Sequence, residues 1–111
     1  MSTRAVTRET RALADRICAA IRELEPTAQV FLYGSRARGD AEPDSDWDLL
    51  ILVNGPVSHE REEELTDRLF ELGLETDAVL SPVVHSREEW ASPLFRAMPF
   101  RKNVIREGVP L

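Results

Sequence analysis

The chain has a single cysteine in 111 residues, Cys18, so no disulfide can form within it and a reducing cytoplasm is the expected setting. No uninterrupted apolar run approaches the ~20 residues that cross a bilayer. The opening residues, Met1 to Ala5, lack the apolar stretch of a secretory signal, and no membrane role is expected. An excess of positive charge is missing too: 14 Lys and Arg stand against 20 Asp and Glu, a formal net charge of −6. A negative field repels nucleic-acid backbones, which disfavours direct binding of DNA or RNA. Repeats, low-complexity tracts and linkers are absent as well, so residues 1–111 read as one domain with 42% apolar residues to bury in one core.

What is there alternates between helical and extended patterns. Leu13, Ile17, Ala20, Ile21 and Leu24 recur at helical spacing and predict an amphipathic helix from Arg4 to Glu25, stopped by Pro26. Val30 to Tyr33 is a short buried strand ending at Gly34, and Ser35 to Gly39 allows one helical turn. Trp47 to Val53 is almost entirely apolar and reads as a central strand, broken by Asn54-Gly55-Pro56. Ser58 offers an N-cap to a helix with Leu65, Leu69 and Leu72 on its buried stripe and Gly73 at its end. Thr76 to Val84 is expected as a third strand. Ser86-Arg87-Glu88-Glu89 matches a capping box, and Phe100 to Glu107 suits a last helix. This order predicts an α/β (α+β) domain with a small mixed sheet packed by helices.

Chemistry concentrates at the entrance to the central strand. In Asp46-Trp47-Asp48 the side chains alternate, so both aspartates share one face, with Cα atoms about 7 Å apart. Like charges this close call for a cation, and hard oxygen donors suit magnesium or manganese rather than zinc. A helical crossover makes strands two and three parallel, which would bring Asp77, at the start of the third, beside the pair. Glu75 would share the strand face of Asp77, leaving either as the third carboxylate. Gly34 permits close backbone approach to an anion, Ser35 adds a hydroxyl, and Arg36 and Arg38 add positive charge. A phosphate anchor beside a metal site describes phosphoryl or nucleotidyl transfer. His59 and His85 have no metal-ligand partner at useful spacing, and Cys18 falls at the edge of an apolar helical stripe.

Tyr33-Gly34-Ser35-Arg36-Ala37-Arg38-Gly39-Asp40, followed by Ser45-Asp46-Trp47-Asp48-Leu49-Leu50-Ile51, resembles the nucleotidyltransferases related to DNA polymerase β, matching their G-S-x10-D-x-D motif without a gap. The small size and the ending Ile105 to Val109 resemble the minimal (MNT) branch, many of whose members are antitoxins encoded beside a HEPN-domain toxin. The resemblance implies ATP as substrate, Mg²⁺ as cofactor (two ions), and transfer of AMP to a hydroxyl. It assigns metal ligation to Asp46, Asp48 and Asp77, with Asp77 also taking the acceptor's proton, and nucleotide binding to Gly34, Ser35, Arg36 and Arg38. It implies a tyrosine of a HEPN-type toxin as acceptor. The alternatives are an antitoxin that acts by binding alone and the catalytic subunit of a split small-molecule nucleotidyltransferase.

The C-terminal segment carries Trp90, Phe95, Met98, Pro99 and Phe100, more large apolar residues than so short a piece needs to cover a three-stranded sheet. Some of them are expected to stay exposed as the centre of a partner interface.

Overall fold

A computed structural model describes residues 8–42 and 44–111. Its elements are α1 (Arg8–Leu24), β1 (Gln29–Tyr33), α2 (Ser35–Arg38), β2 (Trp47–Val53), α3 (His59–Thr76), β3 (Leu80–Ser86), α4 (Arg87–Trp90), α5 (Pro93–Arg96), α6 (Pro99–Glu107) and β4 (Val109–Pro110). The expected first helix is present from Arg8; its proposed start at Arg4 lies outside the described residues. Among the described residues, no helix is long and apolar enough to cross a membrane.

The four strands form one mixed sheet in the order β3-β2-β1-β4. β1 and β2 are antiparallel, with Tyr33 opposite Asp48, and β2 and β3 are parallel, with Asp48 opposite Ser81. Six of the seven β2 residues are buried, because helices cover the strand on both faces. On one face, Ile17 and Ile21 of α1 and Leu65, Leu69 and Leu72 of α3 pack on Leu49, Ile51 and Val53. On the other, Trp90, Phe95 and Val104 cover Leu50 and Leu52. β4 is an addition that sequence periodicity did not reveal: two residues cannot show a period, and pairing with Phe31 and Leu32 defines them.

One expectation about this framework is corrected, and another holds in part. The third strand does not begin at Thr76, because α3 runs through that residue and β3 starts at Leu80. Gly73 lies inside α3, and its missing side chain lets the chain turn back. A Cβ there would collide with the Ala78 carbonyl, and the Gly73 carbonyl accepts the Ala78 N–H at 3.0 Å. Asp77 is the left-handed C-cap, with φ 58°. Of the C-terminal apolar residues, Met98 and Pro99 are exposed, as expected of some of them. Trp90 and Phe95 are buried and meet edge to face at 6.1 Å, and Trp90 meets Phe100 at 5.9 Å, because the outer face of the sheet needs a cover that α1 and α3 do not provide.

Candidate active site

The end of β1, the start of β2 and the start of β3 lie at one end of the sheet, as the registers require. Asp48 is half-buried opposite Tyr33, while Asp46 is exposed just before the strand begins. Being two residues apart in extended chain, they face the same side. That is the face covered farther along by α4, α5 and α6, because Leu50 and Leu52 continue the alternation into their cluster. The C-terminal helices thus cover Leu50 and Leu52, while Asp46 stays exposed and Asp48 half-buried at the end of the same face.

The electrostatics agree with a cation site. Burial pushes the Asp48 carboxyl above the ordinary carboxylate range, the charge of Asp46 adds to the shift, and Arg38 opposes it. Burial raises the phenol of Tyr33 too, with a further contribution from Asp48. Two hard carboxylates on one strand face, one of them raised by the charge of the other, fit one divalent cation, which relieves the repulsion.

Gly34 has φ 78° and caps the start of α2. A Cβ at this position would overlap Asp48 Oδ2 and stand 3.2 Å from Cγ, so the glycine backbone lies directly against the carboxylate. Ser35 opens α2, whose short turn closes through Arg38 N–H to the Gly34 carbonyl at 3.0 Å and Gly39 N–H to the Ser35 carbonyl at 2.9 Å. Gly34, Ser35, Asp46 and Asp48 are thus brought together, as their spacing suggested.

The other expected residues are placed differently. Arg36 lies over the Trp47 ring at 5.2 Å, and its Nε and Nη2 donate to the Ser45 carbonyl at 3.0 and 2.9 Å. It clamps the chain on either side of Asp46. Arg38 donates to Asp40 at 3.3 Å and to Glu107 of α6 at 3.1 Å, tying α2 to the C-terminal helix. Asp77 stands at the end of α3, before β3 begins, and among the described residues no three His, Cys, Asp or Glu side chains form a group that could hold a metal. Glu75, the other candidate, is occupied by Arg16 Nη2 at 2.8 Å. Sequence reading missed Ser81, whose Oγ donates to Asp46 Oδ2 at 3.3 Å, and Tyr33, opposite Asp48. Only the exact register of β3 identifies Ser81, whereas Tyr33 stands next to the motif glycine and was visible as a neighbour.

The fold and this end of the sheet define a class, and comparison with known proteins gives the same one. Residues 14–109 match the nucleotidyltransferase domain family, and the chain belongs to that family. A Methanocaldococcus jannaschii protein named as a candidate protein adenylyltransferase is 32% identical over 59 residues, which are 53% of this chain and 60% of the relative. This chain thus aligns with less than two thirds of that protein. A solved structure described as a candidate minimal nucleotidyltransferase superposes with a TM-score of 0.61 at 25% identity, covering 91% of each chain. A toxin–antitoxin crystallised with AMP-PNP gives a TM-score of 0.62 at 21% identity over 86% of this chain and 69% of that one, a likeness of fold.

Proposed function

We propose that this protein is an Mg²⁺-dependent adenylyltransferase and the antitoxin of a toxin–antitoxin pair, working in the cytoplasm as one domain of residues 1–111. The observation that carries the reading is the Asp46–Asp48 pair at the open end of the sheet with the Gly34 backbone packed against Asp48. Family membership supports nucleotidyl transfer. The M. jannaschii relative supports AMP as the group transferred and a protein as acceptor.

In the proposed reaction a hydroxyl oxygen of the acceptor attacks the α-phosphorus of ATP in line. The bond from that phosphorus to the β-bridging oxygen breaks, pyrophosphate leaves, and the hydroxyl proton passes to a carboxylate of the site or to solvent. Asp46 and Asp48 would hold Mg²⁺, which when bound neutralises charge on the triphosphate and the leaving group. The N–H groups of the first turn of α2, which have no partner within the helix, would meet the β- and γ-phosphates, with the Ser35 hydroxyl beside them. Arg38 would exchange Glu107 for phosphate, and Arg36 would keep Asp46 in place through Ser45.

The acceptor is proposed as a tyrosine of a HEPN-type toxin, with no direct role for nucleic acid or membrane. Toxin–antitoxin complexes among the fold neighbours support this partner. A groove of about 280 Å³ between the end of α3 and the start of β3 is lined by the exposed Phe70, Leu74 and Val79, and the Val79 carbonyl accepts the Trp47 N–H at 2.8 Å. Asp77, which lines this groove, favours a basic partner.

The test is to incubate the protein with ATP, Mg²⁺ and the product of the neighbouring toxin gene, and to weigh the toxin. A gain of AMP mass that disappears in Asp46→Asn supports the reading; an unmodified toxin that is nevertheless silenced supports a second one. That second reading, neutralisation by binding alone, draws on the finding that among the described residues no three His, Cys, Asp or Glu side chains form a metal-holding group.

A further inference from the structure

Two carboxylates on one strand face make up the acidic part of the site, and the strand register decides what stands across from them. In the parallel ladder, Ser81 is the partner of Asp48. Partnered residues project from the same face of a sheet, so the position opposite the metal-facing pair carries a neutral hydroxyl. That hydroxyl donates to Asp46 Oδ2 at 3.3 Å. Of the nearby acids, Asp77 stands at the end of α3, outside the β3 ladder, and Glu75 is paired with Arg16 at 2.8 Å.

We propose that Ser81 is a positioning residue for Asp46, and that Asp46 and Asp48 hold a single divalent cation in the absence of nucleotide, a second joining only with the triphosphate. The inference deepens the nucleotidyl-transfer reading and rests on it. Two carboxylates balance the charge of one dication, and a second dication needs further anionic oxygens. Without a third carboxylate these come from the phosphates. By fixing one oxygen of Asp46, the Ser81 hydroxyl sets how the carboxylate presents itself to the cation. Outer contacts of this kind carry about 10–100-fold in metal affinity.

Calorimetric titration with Mn²⁺, in the absence of nucleotide, tests the assignment on wild type, Ser81→Ala, Ser81→Thr and Ser81→Asp. Thermal unfolding of the metal-free proteins serves as the control on folding. Wild type is expected to take up one equivalent. Ser81→Ala should bind about tenfold more weakly, with its metal-free unfolding midpoint unchanged. Ser81→Thr, which keeps the hydroxyl, should restore the affinity, and Ser81→Asp should admit a second equivalent. Equal affinity of wild type and Ser81→Ala would overturn the proposal, as would failure of threonine to rescue or two equivalents in wild type. The broader reading fails differently: Mn²⁺ binding would depend on Ser81 as described, while a nonhydrolysable ATP analogue would not bind with the metal present.

Discussion

Gly34 has no room for a side chain, because the Asp48 carboxylate already occupies the space a Cβ would take. The turn proposed to bind phosphate and the proposed metal ligand are therefore one packed unit. Its backbone also has φ 78°, a conformation that costs an L-residue free energy. Gly34→Ala should lose about 1–3 kcal/mol of stability. It should also displace Asp48, with Mn²⁺ affinity falling at least tenfold. Chemical denaturation and calorimetry on the same sample check both parts, and an alanine variant with full affinity would separate the turn from the carboxylate.

Asp48 makes stability depend on pH with a definite sign. Its folded-state pKa is raised, first by burial and then by Asp46, so the folded protein holds this proton more tightly than the unfolded chain does. Stability thus falls as pH rises from the ordinary aspartate value of about 3.9 through the raised folded value, and the deficit persists at neutral pH. Asp48→Asn should raise the metal-free unfolding temperature at pH 7. The gain should vanish below the ordinary aspartate value, and saturating Mg²⁺ should reverse the order by stabilising wild type alone. Thermal melts across pH, with and without Mg²⁺, test this.

At Asp77 the backbone sets the expected outcome. It occupies the left-handed region at the end of α3, where glycine is at ease. Asp77→Gly should match or exceed wild-type stability by up to about 1 kcal/mol and keep nucleotidyl transfer within a few-fold. A hundredfold loss of transfer together with weaker Mn²⁺ binding would make Asp77 a ligand after all.

Glu25 and Arg61 join the end of α1 to the start of α3 through two bonds, Nε to Oε2 at 2.6 Å and Nη2 to Oε1 at 2.7 Å. The Arg61 hydrogen bonds lower the Glu25 pKa. This stabilisation is complete above the unfolded glutamate value of about 4.3 and is lost as pH falls through the lower folded value. Glu25→Gln should cost about 1 kcal/mol at pH 7 and progressively less in acid, as urea titrations at several pH values would record.

The C-terminal aromatics are expected to behave as core. Phe95, buried against Trp90 and His85, should cost about 3–5 kcal/mol when changed to alanine. Its neighbour Leu94 is 71% exposed and should cost almost nothing. Comparable losses at the two positions would mean that the cover over Leu50 and Leu52 is packed differently.

Sequence by itself determined the central strand, the amphipathic helices and the Gly34-Ser35 and Asp46–Asp48 groups. These depend on alternation, periodicity and residue chemistry over a few positions, and local sterics enforce such patterns wherever the chain folds. It also determined the Ser58 and Ser86 caps, which accept N–H groups three residues on at 3.1 and 3.0 Å. Tertiary structure decided the rest. Thr76 and Asp77 read as a strand start, yet close contact between Gly73 and Ala78 carried α3 one turn farther and moved the beginning of β3 to Leu80. That shift took Asp77 out of the ladder and put Ser81 opposite Asp48. The contacts of Arg36 with the Trp47 ring and the Ser45 carbonyl were likewise set by the tertiary structure. Trp90 and Phe95 looked like interface until the outer face of the sheet claimed them. In each case the deciding contact joins residues distant in sequence or depends on a register between strands, and a side-chain pattern along one segment carries no information about either.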